Sequence, residues 1–430
     1  MDSFAEVQSG HQGKLMAVTD VATWIDEFSR PNTVWFAKRL TGNDTLANKT
    51  HLAGPYIPRD FLFRVFPQLN HPTDENPDHR FDLYVDSHAD HRNVRVVWYN
   101  NRVRINPVTK QPYGTRNETR ITGFGGQQSA LLDTESTGAI AVFVFVLDKT
   151  GARSECHVWV CDNELEEDIV EARIGPAEPK HFSVWAPGTG GGLYSGTETS
   201  QSPCRLTPAQ IPTEWLAKFP TGEETIRKTR ELRPDSTLPV DQLLMRRRDC
   251  EFEIFRSVEE AFYLPRVQNG FSGIDAFIEL AQSILQSRKS RAGNSLELHA
   301  RDIFVEETLV AGTHFSHRPV IEGNKRPDFL FPTVAQYNDP AYPADKLRML
   351  AAKTTCKDRW RQVINEADRI MDKHLLTLQE GVSENQFREM REARVQLVVP
   401  AGLHDSYPES VRAHLLSLES FVAEVRTLTL

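Results

Sequence analysis

An aspartate, a lysine and a glutamate, near one another in the chain, have side chains suited to one reaction. Asp328 ends Lys325-Arg326-Pro327-Asp328, Lys353 opens Lys353-Thr354-Thr355-Cys356-Lys357, and Glu366 ends Arg361-Gln362-Val363-Ile364-Asn365-Glu366. Hydrolysing a phosphodiester calls for divalent cations that neutralise the phosphate and lower the pKa of the attacking water. Mg²⁺ takes oxygen ligands, usually one or two carboxylates with water filling the rest. A lysine beside the metal orients that water and stabilises developing charge. Taken singly, each residue reads as a turn cap, an exposed strand end or a solvated helix position; only the set carries chemistry.

Three elements must position the set. Phe329–Phe331, closed by Pro332, reads as a short buried strand, and residues 347–355 as a second. Trp360, Val363, Ile364, Ala367 and Met371 recur at helical spacing, so a helix is expected there, with Asp358 near its start and Glu366 on its flank. Further strands at Leu375–Leu378 and Val395–Val399, with helices around 384–393 and 408–426, make an α/β core. Upstream, Ile274, Phe277, Ile278, Ala281, Ile284 and Leu285 predict a helix over 274–287 that Gly293 ends. Asn294-Ser295-Leu296-Glu297 then resembles a capping box, opening a helix with Leu296, Ala300, Ile303 and Phe304 inward. Leu243, Leu244, Arg246–Arg248 and Phe252–Phe255 predict a helix with a basic patch.

The first half of the chain is patterned differently. After a helix through Val21, Trp24, Ile25 and Phe28, short apolar runs alternate with turn residues: Phe61–Phe66, Val94–Tyr99, Ile140–Leu147 and His157–Val160. That is an all-β pattern, a barrel or partly open barrel. Within it, Arg116, Glu118 and Arg120 fall on one face if the segment is extended. Alternating Arg and Glu can read guanine and cytosine edges in the major groove, or form a solvated ladder of ion pairs; the pattern leaves both open. Asp86-Ser87-His88-Ala89-Asp90-His91 matches no strong metal template and is read as a polar loop. The glycines after Pro187 and the polar run Ser195–Ser202 read as a linker, giving domains 1–182 and 207–430 joined by 183–206.

With 430 residues, 39% hydrophobic and 25% charged, the composition is that of an ordinary globular protein. A net charge of −9 means that binding a polyanion must rely on local basic patches, such as Arg246–Arg248, Arg288-Lys289-Ser290-Arg291 and Lys357 with Arg359 and Arg361. The five cysteines are odd in number and lack zinc spacing, so free thiols in a reducing cytoplasm are expected. No stretch approaches membrane-spanning length, and the N-terminus lacks a signal-peptide core.

The stretch around Lys353 resembles the EcoRII family of restriction endonucleases, within the PD-(D/E)xK nucleases. The resemblance is carried by Lys353 to Gln362, Asn365 to Asp368, Gly323-Asn324-Lys325, Ser290 to Gly293 with Ser295 to Glu297, and His374 to Gly381. The acid usually found two residues before the lysine is replaced by Ala351; in one branch of these nucleases it moves to the following helix, and Glu366 matches that variant.

The resemblance implies an N-terminal β-pseudobarrel effector domain, similar to the plant B3 domain, and a C-terminal restriction-endonuclease-like α/β catalytic domain. It implies a Mg²⁺-dependent homodimer cutting double-stranded DNA at CC(A/T)GG or a relative. A second copy of the site would be the effector, bound by an N-terminal domain that restrains the catalytic cleft. Asp328 and Glu366 would hold the metal, Lys353 the water, and Lys357 the scissile phosphate. Glu297 would approach the metal site. Arg288, Lys289 and Arg291 would make groove or phosphate contacts. Arg247, or its neighbour Arg248, would stack with Phe252 around an extruded base. His51, Tyr56, Arg116, Glu118 and Arg120 would contact the effector DNA, with Gly114 and Thr119 standing where the family has lysines. Two other readings remain: a DNA-binding regulator whose nuclease fold is silent, and a repair nuclease directed at mismatches.

Overall fold

The run Ile140–Leu147 is apolar throughout, and a strand sends alternate side chains to opposite faces. Ala141, Phe143 and Phe145 enter one core, while Ile140, Val142 and Val144 enter another, so this strand is covered on both sides. The computed structural model describes residues 21–49, 54–105, 109–126, 128–147, 153–185, 194–195, 204–235 and 237–428. The chain divides into two compact units, Met1–Glu198 with Glu380–Ser383, and Thr199–Gln379 with Glu384–Leu430.

The first unit runs α1 (21–28), β1 (Thr33–Arg39), α2 (Arg59–Val65), β2 (Asp78–Val85), β3 (Asp90–Ile105), β4 (Pro112–Thr122), β5 (Ile140–Leu147), β6 (Arg153–Val160), α3 (Glu164–Ile174), β7 (Phe182–Trp185) and β8 (Tyr194–Ser195). Its strands form one sheet in the order β4-β3-β2-β6-β5-β1-β7-β8. Strand β7, apart from Phe182, and strand β8 lie in the stretch read from sequence as linker, 183–206. The apolar run Phe61–Phe66, expected as a strand, is mostly helix α2. Phe61, Leu62 and Val65 are its buried residues, a spacing that puts them on one helical face.

The second unit runs α4 (Thr213–Ala217), α5 (Gly222–Leu232), α6 (Val240–Gln268), α7 (Ile274–Glu306), β9 (Ser316–His317), β10 (Phe329–Phe331), α8 (Val334–Asn338), β11 (Arg348–Ala352), α9 (Trp360–Val363), β12 (Lys373–Leu376), α10 (Glu384–Glu392), β13 (Val395–Val398), α11 (Glu409–Arg412) and α12 (Leu418–Leu428). Its sheet has the order β13-β12-β11-β10-β9. β9, β10 and β11 pair antiparallel, while β11, β12 and β13 pair parallel.

Three expectations fail here. Helix α7 does not break at Gly293 or restart at Asn294; it is continuous from Ile274 to Glu306. A helical glycine costs about 1 kcal/mol against alanine, and polar anchoring against α6 outweighs that. Glu251 of α6, 1% exposed, receives Arg291 Nη1 at 2.9 Å and Ser295 Oγ at 2.8 Å from α7, and Arg248 Nη1 at 3.3 Å from its own helix. Asn294 donates to the Ser290 carbonyl at 2.9 Å instead of capping. Next, the helix expected from Trp360 through Met371 stops at Val363, and Met371 is 61% exposed. Finally, Cys204 and Cys250 form a disulfide, while Cys156, Cys161 and Cys356 are buried free thiols. Cys204 and Cys250 are 46 residues apart in sequence but share one apolar cluster with Leu206, Ile211, Trp215, Ile254 and Val258. That proximity is tertiary and leaves no mark in cysteine spacing.

Among the described residues no helix is long and apolar enough to cross a membrane.

Candidate active site and DNA-binding faces

Strand register brings the candidate residues to one end of the second sheet. Phe329 pairs with Leu350, so Asp328, just before β10, lies beside the end of β11, where Lys353 follows Ala352. Asp328 Oδ2 accepts from the Ala352 N–H at 2.7 Å, and Lys353 Nζ lies 3.6 Å from the same oxygen. Burial pushes the Asp328 carboxyl above its usual range, against the pull of the Lys353 ammonium and the Ala352 N–H. Burial also raises Glu366, to about 7; Lys353 opposes that shift and Asp328 adds to it. The three side chains therefore share one electrostatic environment.

Glu366 sits on a pinned turn rather than on a helix. Ala367 has φ 50°, a left-handed conformation that α-helix cannot continue through. The buried Lys373 at the start of β12 donates through Nζ to the carbonyls of Glu366, Ala367 and Ile370. Glu322 Oε1 accepts from the Asp368 N–H and from Tyr337 Oη, each at 2.7 Å. These bonds satisfy the turn's backbone, but Glu366 Oε2 is buried without a hydrogen-bond partner. An unpartnered carboxylate oxygen beside a second desolvated carboxylate fits a hard cation, which supplies the compensating charge. Among the described residues no group of three or more His, Cys, Asp or Glu is arranged to hold a metal. Asp328 and Glu366 would offer a divalent cation two carboxylates, leaving its other positions to water and phosphate oxygens.

Glu297 stands next to this pair. His317 Nε2 and Arg318 Nε lie 2.5 Å from its Oε1, and Arg318 Nη2 donates to Oε2 at 2.6 Å. Although burial works against its charge, His317 and Arg318 hold its carboxyl below the usual range. Its charge in turn raises the Asp328 carboxyl. His317, Arg318 and Lys373 were absent from the sequence expectations, because a two-residue strand and the first residue of another carry no motif. Lys357 lies in the loop after Lys353, where its backbone N–H donates to Gln379 Oε1 at 3.0 Å.

The basic residues of α6 and α7 are mostly turned inward. Arg247 is 2% exposed and donates to Glu306 at 2.9 Å, and Phe252 is 8% exposed beneath the Arg291 guanidinium at 4.9 Å. As placed, Arg247 and Phe252 are both buried, so stacking on an extruded base would require them to move when DNA binds. Arg248 is likewise buried against Glu251. Arg288 grips Glu259 with two bonds, at 2.5 and 2.9 Å, and burial lowers the Arg291 pKa to about 9. Lys289 is exposed.

In the first unit, Arg116, Glu118 and Arg120 alternate along β4, paired with Arg102, Tyr99 and Val97 of β3. Arg120 Nε donates to Glu118 Oε1 at 3.3 Å and its Nη1 to the Gly54 carbonyl at 3.1 Å. Tyr56 bridges to Arg120 through its backbone, so Tyr56 joins this face. Gly54 has φ 136°, and a Cβ there would meet the Ile121 carbonyl oxygen at 2.1 Å, so this approach requires glycine. His51 lies outside the described residues.

Comparison with known proteins agrees with this two-part arrangement. A family model described as "EcoRII C terminal" matches residues 255–422, and "Restriction endonuclease EcoRII, N-terminal" matches residues 29–189. The type II restriction enzyme EcoRII of Escherichia coli is 42% identical over 405 residues, covering 94% of this chain and 96% of that protein. The type II restriction enzyme SsoII of Shigella sonnei is 32% identical over 128 residues, 28% of this chain and 40% of its own length. Among solved structures, metal-depleted Ecl18kI in complex with uncleaved, modified DNA overlaps 52% of this chain and 85% of its own, at 22% identity and TM-score 0.42. The B3 domain of UbaLAI restriction endonuclease with cognate DNA overlaps 38% of this chain and 98% of its own, at 19% identity and TM-score 0.26. The extent and identity of the EcoRII match, over both halves, place this chain in the EcoRII family of type II restriction endonucleases.

Proposed function

We propose that this chain is a Mg²⁺-dependent endonuclease that cuts both strands of double-stranded DNA at CC(A/T)GG or a closely related site. It acts in the cytoplasm as a homodimer, since two-fold symmetry suits a palindrome. Its first unit binds a second copy of the site. The observation that carries the reading is Asp328, Lys353 and Glu366 at one sheet end, with a buried carboxylate oxygen unpartnered.

Asp328 and Glu366 are the residues that would hold the metal. When bound, Mg²⁺ neutralises phosphate charge and acidifies the attacking water. The Lys353 ammonium positions that water and stabilises charge developing on the phosphate. Lys357, on the same loop, contacts the scissile phosphate. Glu297, engaged by His317 and Arg318, orients Arg318 beside Asp328. On the first unit, Arg120 and Glu118 are set to read base edges, with Tyr56 beside them.

The test is digestion of a plasmid library and sequencing of the cut ends. Cleavage confined to one short palindrome supports the reading; binding without cleavage in Mg²⁺ favours the silent regulator, and preference for mismatched DNA the repair nuclease. If the first unit restrains cutting, a chain shortened to begin at Thr199, which keeps Cys204 with Cys250, cleaves single-site DNA at least about tenfold faster than the full chain. A folded but slower truncation removes that restraint from the account.

A pH dependence follows from Glu366. A carboxyl with a raised folded pKa favours the protonated folded state. The metal-free unit therefore loses stability as pH rises from the ordinary glutamate range to about 7. A cation there must displace the proton, so its affinity weakens roughly tenfold, or about 1.4 kcal/mol, per pH unit below about 7. Saturating-range Mg²⁺ should thus raise Tm more at pH 8 than at pH 6, and Glu366→Gln should remove the difference. Equal increments in the unaltered chain would dissociate Glu366 from the metal.

A further inference from the structure

Asp328 stands between two cations carried by the neighbouring strands. Strand β9 is the edge of the second sheet, and its His317 pairs with Phe329 of β10, so Arg318, one residue on, lies opposite Asp328. The Arg318 N–H donates to the Asp328 carbonyl at 2.9 Å. On the other side of Asp328, Lys353 follows β11. The Arg318 guanidinium is gripped side-on. Its Nε lies 2.5 Å from Glu297 Oε1, and its Nη2 donates to Glu297 Oε2 at 2.6 Å and to Asn294 Oδ1 at 2.7 Å. Among the described residues the third nitrogen, Nη1, on the edge turned away from Glu297, has no partner, and the side chain is 49% exposed.

The backbone at this position is unusual. Arg318 has φ 49°, in the left-handed region that glycine enters freely and a residue with a Cβ enters at a cost. A costly conformation beside reacting groups points to a task for the side chain. Bracing Glu297 is not a sufficient task, since His317 Nε2 already lies 2.5 Å from the same carboxylate oxygen and bracing leaves Nη1 unused.

We propose that Arg318 is a further catalytic residue, whose Nη1 edge contacts a non-bridging oxygen of the phosphate being cut. The claim rests on the nuclease reading above and adds a group to it. A phosphate brought to Asp328 meets one cation from each adjoining strand, Lys353 and Arg318. The two differ in kind. The lysine is a compact charge on a flexible stem, whereas the arginine presents planar N–H donors that match phosphate oxygens and stays charged at any working pH. Glu297 and Asn294 fix the plane of that guanidinium in advance, so its donors need no reordering as charge develops on the phosphate. The buried glutamate on α7 thereby acts on the reaction through Arg318.

The test uses the full chain with Arg318→Gly and Arg318→Lys. Glycine takes φ 49° at least cost and Glu297 keeps His317, so Arg318→Gly should fold, which circular dichroism and thermal melting check. Affinity is measured in EDTA on duplexes bearing CC(A/T)GG, each with one uncharged methylphosphonate at a different position in or beside the site. For the unaltered chain, neutralising the phosphate that is cut should weaken binding at least about tenfold; Arg318→Gly should lose less than about twofold there. On unmodified DNA, Arg318→Gly should flatten the slope of log affinity against log salt by about one, and Arg318→Lys should restore it. Single-turnover cleavage at saturating protein should fall about a hundredfold in Arg318→Gly and recover only in part in Arg318→Lys, which keeps the charge without the fork. A residue that only braces Glu297 would lower the rate while leaving the methylphosphonate pattern and the salt slope as they are in the unaltered chain. That result overturns the proposal and leaves the nuclease reading standing. An unaltered chain that neither binds nor cuts the site overturns the nuclease reading itself.

Discussion

Asp328→Ala should lower the rate of cleavage of site-bearing DNA by about a thousandfold or more, while affinity for that DNA is unchanged or higher. The asymmetry follows from the site. Asp328 offers an anionic oxygen that already accepts one backbone N–H and lies 3.6 Å from Lys353 Nζ. Removing it takes a negative charge from the place a phosphate must occupy, which favours binding. It also removes one of the two carboxylates available to a metal. Lys353→Ala should cost cleavage on the same scale by a different route. Without that ammonium, Asp328 and Glu366 lose the cation that opposes the burial-driven rise in both carboxyls, so both take up protons more readily. Part of the Lys353→Ala defect should therefore recover as pH rises, whereas the Asp328→Ala defect should not. Either variant retaining a tenth of the normal rate would take its residue out of the mechanism.

Glu251→Ala should destabilise the second unit by roughly 3–5 kcal/mol without touching the candidate active site. Glu251 is 1% exposed and is shared by Arg248, Arg291 and Ser295. Burial opposes every charge in the cluster, raising the Glu251 carboxyl and lowering both arginines. Taking away the carboxylate leaves two buried guanidinium groups without the charge they share. The cost is that of uncompensated buried charge, well above the worth of an ordinary hydrogen bond. Glu231→Ala is the control: this surface glutamate pairs with Lys228 at 2.9 Å, and its loss should change stability by less than about 0.5 kcal/mol. Denaturant melts of both variants make the comparison. A loss below about 1 kcal/mol for Glu251→Ala would mean that water reaches the cluster.

The same cluster explains part of what the sequence concealed. Local signals at Gly293 and Asn294 point to a helix break, yet Arg291 and Ser295 must both reach Glu251 on the neighbouring helix, and a continuous α7 lets them. The resemblance gives Arg247 and Arg291 roles at DNA, and the arginine-rich stretches around them look like basic patches, but nothing local in the sequence shows that both are buried. Their carboxylate partners, Glu306 and Glu251, lie far along the chain or on another helix. Cys204 and Cys250 were unreadable for the same reason. By contrast, the strands next to Asp328 and Lys353 were legible, since a short apolar run closed by proline and a second run with small residues have few alternatives. Glu366 was placed near the right partners on the wrong element. The helical periodicity around it is interrupted by one left-handed residue, Ala367, and held by Lys373, neither of which periodicity detects.

The central claim is that Asp328 and Glu366 share one divalent ion with Lys353 beside it. Its most direct test is anomalous diffraction from crystals of the protein with site DNA and Mn²⁺. The account predicts a peak within ligand distance, about 2.0–2.4 Å, of a carboxylate oxygen from each of Asp328 and Glu366. A peak held elsewhere, or one that Glu366 does not touch, would contradict it.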